Sequence, residues 1–201
     1  MDDGHTSSIA GQGTGKPQTI TSGVTITSAA TLDLVVGRLG AELFPYYTQA
    51  ANKTIQLTSA MPVGSTKPWV ITNNNGYGLE TTANLVLATS QNFNVVNATA
   101  SNVVQGLTVS GVVSGTSSIT KIGNGTLVLG NPNGSTSNTF TGSIDIQAGV
   151  VSVSNNTALG NAANVVQLNA NGTTGVGLRA TETFTATGRT IRLNQENNGI
   201  E

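Results

Sequence analysis

Gly125-Thr126-Leu127-Val128-Leu129 is followed, 24 positions on, by Gly149-Val150-Val151-Ser152-Val153. In both stretches two aliphatic residues stand at i and i+2, which places them on one face of a strand. The pair recurs along the chain at Leu32/Leu34, Ile55/Leu57, Leu85/Leu87, Leu107/Val109, Leu127/Leu129, Val151/Val153 and Val176/Leu178. Steps between first members are 23, 30, 22, 20, 24 and 25 residues by subtraction. Such a period predicts one inward-facing strand per turn of a solenoid, with these fourteen residues as its core. A second column, Ile144/Ile146, Val166/Leu168 and Ile191/Leu193, advances by 22 and 25 residues in the same phase. Each period therefore supplies at least two strands, as in an all-β parallel β-helix. About seven coils at about 4.8 Å each make a segment on the order of 35 Å long.

Composition agrees with that reading. Charged residues are 8% and aromatics 4% of the 201 residues, while 25 glycines and many Thr, Ser and Asn fill the difference. Disordered chains usually combine high net charge with few β-branched residues, whereas here the net charge is −1 and Val, Ile and Thr abound. A β-sandwich also has short alternating strands, but nothing in it requires a sustained repeat of 20 to 25 residues. Helices are disfavoured because Gly, Asn and Thr interrupt every window where an i, i+3, i+4 pattern might grow. Turn chemistry falls between the columns, at Gly123-Asn124-Gly125, Asn131-Pro132-Asn133-Gly134, Asn155-Asn156 and Asn171-Gly172, where positive φ is expected. Asn side chains also suit inner ladders between coils.

Candidate chemistry is sparse. The eight Lys and Arg residues are scattered, which argues against nucleic acid. Gly11-Gln12-Gly13-Thr14-Gly15-Lys16 lacks the Ser or Thr a phosphate loop needs after its Lys, because Pro17 follows. Residues 1–18 read as a flexible leader, and the only histidine, His5, lies in it. The nine acids, Asp2, Asp3, Asp33, Glu42, Glu80, Asp145, Glu182, Glu196 and Glu201, do not stack on one another in this register. Catalysis by paired carboxylates is therefore not expected, nor is a metal or other cofactor. Asp145 follows Lys121 by 24 residues, the step from Leu127 to Val151, so an exposed cross-coil ion pair is expected. Two excursions from the rod are expected, at 37–52 (with a short helix around Leu39 to Leu43) and at 61–78. Their aromatics, Phe44, Tyr46, Tyr47, Trp69 and Tyr77, suit capping of an open solenoid end. Tyr46, Tyr47, Trp69 and Tyr77 are also the candidates for holding a glycan.

Residues 118–160 resemble the autotransporter-associated β-strand repeat, also called the passenger-associated transport repeat. The matching residues are Ile119-Thr120-Lys121, Gly123 and Gly125 through Leu129. They continue at Asn138 through Gly142, Ile144 through Gly149, Val151-Ser152-Val153 and Ala158-Leu159-Gly160. An insert at Asn131 to Ser137, and Val150 where the family usually has Thr, depart from the pattern. The resemblance implies a right-handed, pectin-lyase-like solenoid over 19–201 in the passenger of an exported outer-membrane or cell-surface protein. It further implies that the repeat aids folding during export, with a translocator barrel elsewhere in the parent protein. A structural or adhesive stalk is the function expected. A carbohydrate-binding or glycan-active β-helix and a self-assembling extracellular filament subunit are the alternatives. Expected partners are host or matrix glycans, other surface molecules, or a second copy stacked end to end. Without an amphipathic helix, aromatic plug or charged edge strand after Thr190–Leu193, the last coil is expected to continue in the parent or to fray. Far-ultraviolet circular dichroism should show a β spectrum; helix near roughly a third of residues would contradict the architecture.

Overall fold

A computed structural model describes residues 18–20, 31–36, 53–64, 67–73, 77–97, 106–130, 136–170, 175–194 and 198–200. The chain is a parallel β-solenoid. Sheet I has eight strands: β1 (Gln18–Ile20), β3 (Lys53–Leu57), β5 (Tyr77–Thr81), β8 (Gly106–Val109), β11 (Thr126–Leu129), β13 (Gly149–Val153), β15 (Val176–Ala180) and β17 (Asn198–Ile200). Sheet II has seven: β2 (Leu32–Val36), β4 (Trp69–Asn73), β7 (Gln91–Asn97), β10 (Ile119–Ile122), β12 (Ile144–Ile146), β14 (Val165–Leu168) and β16 (Thr190–Leu193). A third, two-stranded sheet joins β6 (Leu85–Leu87) to β9 (Val113–Gly115). All pairings are parallel and join successive coils, and every strand inside sheets I and II pairs on both sides.

In the best-formed coils the chain runs from sheet I through the third face to sheet II and back. Alternation sets what is inside. Leu107, Leu127 and Val151 are register partners and fully buried, as are Val109, Leu129 and Val153 beside them. Ile144 and Ile146 stack on Val166 and Leu168 in the same way. The third face becomes irregular after β9. There Asn138 replaces strand pairing, its Oδ1 accepting from the Val113 N–H at 2.8 Å and its Nδ2 donating to the Ala158 carbonyl at 2.6 Å. One buried amide thus ties three successive coils. In the next coil this face is a 3-10 turn, Asn156–Leu159.

Several expectations are corrected. Leu32/Leu34 belong to sheet II, paired with Trp69 and Ile71, and Leu34 is only partly buried. Leu85/Leu87 belong to the third sheet; Leu79 and Thr81 occupy that level of sheet I. Leu178 stacks on Val151, while Val176 faces Gly149, two residues off the assumed step. The first two share a cause: every face demands the same i, i+2 pair, so a pair does not announce its face; in the third the face is as expected and the register shifts by two. The remaining core candidates are buried in sheet I. Residues 61–78 are not one excursion, since β4 lies within them and β5 begins at Tyr77. Strand β1 also begins inside the leader expected over 1–18. The excursion at 37–52, with Phe44, Tyr46 and Tyr47, lies outside the described residues, as do His5 and the phosphate-loop lookalike. Asn155 does not take positive φ. At φ −156° it caps the 3-10 turn, accepting from the Ala158 N–H.

Leu127→Asp or Val151→Asp would place an unpaired carboxylate in the dry stack and should cost at least about 3 kcal/mol in urea unfolding. Val128→Asp, one residue out of phase and half-buried on the outer face, should cost far less. Equal losses at 127 and 128 would contradict this register.

Candidate functional site

Among the aromatic candidates, Trp69 and Tyr77 are core residues. Trp69 is fully buried in β4, donating its indole N–H to the Pro62 carbonyl at 2.6 Å and meeting Phe93 edge to face at 5.1 Å. Tyr77 is 1% exposed in β5. Neither ring presents a face to a sugar. Flat aromatics and a strand's inward position make the same demand on the sequence, a large apolar residue between polar ones, and the register decided for the core. Tyr46 and Tyr47 lie outside the described residues.

The expected Lys121–Asp145 pair is also absent, because the register is one residue different. Thr120, not Lys121, faces Asp145, and Lys121 faces Ile146. Lys121 therefore points inward between Phe93 and Ile146 and is fully buried. Its stem fills the apolar stack, and its ammonium reaches the corner between sheets II and I. There it donates to the carbonyls of Ile122 at 2.7 Å, Gly123 at 2.7 Å and Ala148 at 3.0 Å. Three protons meet three carbonyl oxygens from two consecutive coils. Desolvation by burial lowers its pKa from 10.5 to about 7. The signal that could have located it is its place in the i, i+2 phase with Ile119.

A second cation works similarly. Arg189 donates from Nη2 to the carbonyls of Asn156 at 3.1 Å and Gly160 at 3.0 Å, and from Nη1 to that of Leu159 at 3.2 Å. These carbonyls lie at the start of the 3-10 turn of the preceding coil, at its last residue and at its C-cap, so Arg189 spans the whole turn.

Carboxylates are dispersed. Asp33, Glu80 and Asp145 have no acidic register partner. Glu80 is tied down by Ser110 Oγ at 2.6 Å and Gln56 Nε2 at 3.0 Å. No group of three or more His, Cys, Asp or Glu that could hold a metal occurs among the described residues.

What the structure does assemble is a groove of about 430 Å³ on the outer face of sheet I. Its lining runs from Thr54 in β3 through Gly78, Thr108, Val128 and Ser152 to Arg179 in β15. It crosses six strands, or about 24 Å at about 4.8 Å per strand. One outward row, Gln56, Glu80, Thr108, Val128, Ser152 and Arg179, is continuous through the register. Beside it Gly78 and Gly106 also line the groove. Ser152 is 4% exposed. No family model, curated protein or solved structure matches this chain.

The buried ammonium gives a pH test. Between about 7 and 10.5 the unfolded chain holds a proton on Lys121 that the folded chain has released, so folding stability should rise with pH across that window. Lys121→Met, which keeps the stem without the charge, should flatten this dependence of Tm. Parallel curves for the two proteins would contradict it.

Proposed function

We propose that this chain is a rod-forming segment of an exported passenger, a stiff stalk displayed on a bacterial surface. The observation that carries the reading is how residues 118–160 stack. The segment that resembles the passenger-associated repeat supplies β10 through β13 and the 3-10 turn, and these pair in register with the coils on either side. Each half of the repeat thus offers a finished template to the strand that follows. Such a chain can fold coil by coil as it emerges, because closing one coil needs only its neighbour.

The sequence also has no cysteine, so no early disulfide would close a loop too bulky to thread through a narrow pore. The interior is mainly aliphatic, and the buried Asn73 donates from Nδ2 to Asn97 Oδ1 of the next coil at 3.2 Å. Stiffness follows from the continuity of the two long sheets.

The test is display. Fused ahead of an outer-membrane translocator barrel in a Gram-negative cell, the chain should reach the surface and become sensitive to protease added outside. Leu127→Asp, which breaks the template in the middle of the repeat, should leave more chain in the periplasm. Retention of the unaltered chain, or equal display of both, would overturn the reading.

A further inference from the structure

Lys121 stands in a column of apolar residues, between Phe93 and Ile146, with none of its surface exposed. Burial takes water from its ammonium and lowers its pKa to about 7, so the charge is held at a cost. An apolar side chain of similar volume in such a place is often as stable or more so. What the lysine contributes is therefore specificity, and its contacts show of what kind. Two of its three protons go to carbonyls of its own corner, Ile122 and Gly123, and the third crosses to Ala148 of the next coil at 3.0 Å. The main-chain carbonyl of Lys121 meets the same corner, accepting from the N–H of Gln147 at 2.9 Å and of Ala148 at 3.4 Å. One residue thus holds the corner of the following coil by main chain and side chain together.

We infer that Lys121 sets the register at which the second half of the repeat adds to the first. The aliphatic columns do not set it alone. A shift of β12 by two residues would lay Ile146 on Ile119 and Ala148 on Lys121, with inside and outside unchanged. At the next junction the columns do mislead, since Val176 stands two residues off the step they suggest. The ammonium is less tolerant. Strand carbonyls point toward the neighbouring coils and are engaged there, whereas that of Ala148 turns to the ammonium at a corner where Gly149 has φ +69°. A shift of two residues moves that corner by about 6.6 Å and leaves a buried proton unmet. Gly149 works in the same sense by exclusion, because a Cβ there would meet the carbonyl oxygens of Gly125 at 2.4 Å and Gly123 at 2.6 Å. The glycine admits the corner and the ammonium selects it. Lys121 is therefore the positioning residue through which the templating proposed above acts. The inference rests on that pairing of coils and not on display, so the two experiments can fail separately.

The chain has no cysteine of its own, so introduced pairs report register directly. Thr120→Cys with Asp145→Cys joins register partners about 4.8 Å apart, within the span of a disulfide. Thr120→Cys with Gln147→Cys lies about 8 Å apart in the observed register, too far to close, and is brought together by the two-residue shift. Each full-length chain would be refolded from urea at about pH 6, where the ammonium keeps its proton, and then oxidised with a soluble disulfide. With Lys121 present the 120–145 bond should form and the 120–147 bond should stay near background. Lys121→Met should raise the 120–147 product about tenfold or more, while the Tm of the cysteine-free Lys121→Met chain holds or rises. A Thr108→Cys/Val128→Cys pair, at the preceding junction of sheet I, should close equally well with or without the lysine. No 120–147 product in the Lys121→Met chain would show that glycine and the columns suffice, and would overturn the inference. So would a Lys121→Met chain that is less stable or does not fold, which would make the lysine a stabilising contact, or loss of the 108–128 bond as well, which would mean general loosening.

Discussion

Backbone pairing between successive coils is the constraint on which everything else rests. In a parallel solenoid each strand has no partner within its own coil, so its N–H and C=O groups must be met by the coils before and after. Pairing in register forces like positions onto like positions, and the aliphatic columns of sheets I and II are a consequence. The same closeness reaches the corners. A Cβ at Gly149, where φ is +69°, would come within 2.4 Å of the Gly125 carbonyl oxygen of the coil beneath. Turn stacks on turn as tightly as strand on strand, and only glycine fits there.

Where pairing lapses, polar side chains take over the carbonyls and amides it would have used. Asn138 bridges the third face between β9 and the 3-10 turn, and Asn164 Nδ2 donates to the carbonyls of Phe140 at 2.9 Å and Leu159 at 3.1 Å. Lys121 does the same at the corner between sheets II and I, and Arg189 at the end of the 3-10 turn. An ammonium in a dry stack is costly, but it offers three donors where three carbonyls converge, which no neutral side chain does. Burial lowers its pKa because the neutral form avoids desolvation, while loss of a proton would leave one carbonyl unmet. Its cost and its use come from the same place.

The outside of the rod is free of these demands, and this is where function can vary without disturbing the fold. Sheet I uses that freedom for a groove lined mainly by Thr, Ser and Gly, with Arg179 at one end. The inward residues that make the rod alternate with the outward ones that make the groove. Leu127 and Val128 are adjacent in sequence and belong to different tasks.

The sequence by itself determined the architecture. The i, i+2 aliphatic pairs at a period near 24 residues, with glycine at the corners, admit parallel coils and little else, and the second column at Ile144, Val166 and Ile191 was legible at its true register. Only the tertiary structure decided which face each pair belongs to. Leu32, Leu85 and Val176 satisfy the same local rule on three different surfaces, and coils differ in length. The step from Leu34 to Ile71 is 37 residues and that from Leu107 to Leu127 is 20. A one-residue difference in register turned Lys121 from a surface partner of Asp145 into a core residue, because alternation has a period of two and one step exchanges inside for outside. Trp69 and Tyr77 went inward because residues 61–78 hold β4 and the start of β5, not a loop. The groove was hidden altogether, because its rows join residues 20 to 28 positions apart and exist only once the coils are stacked.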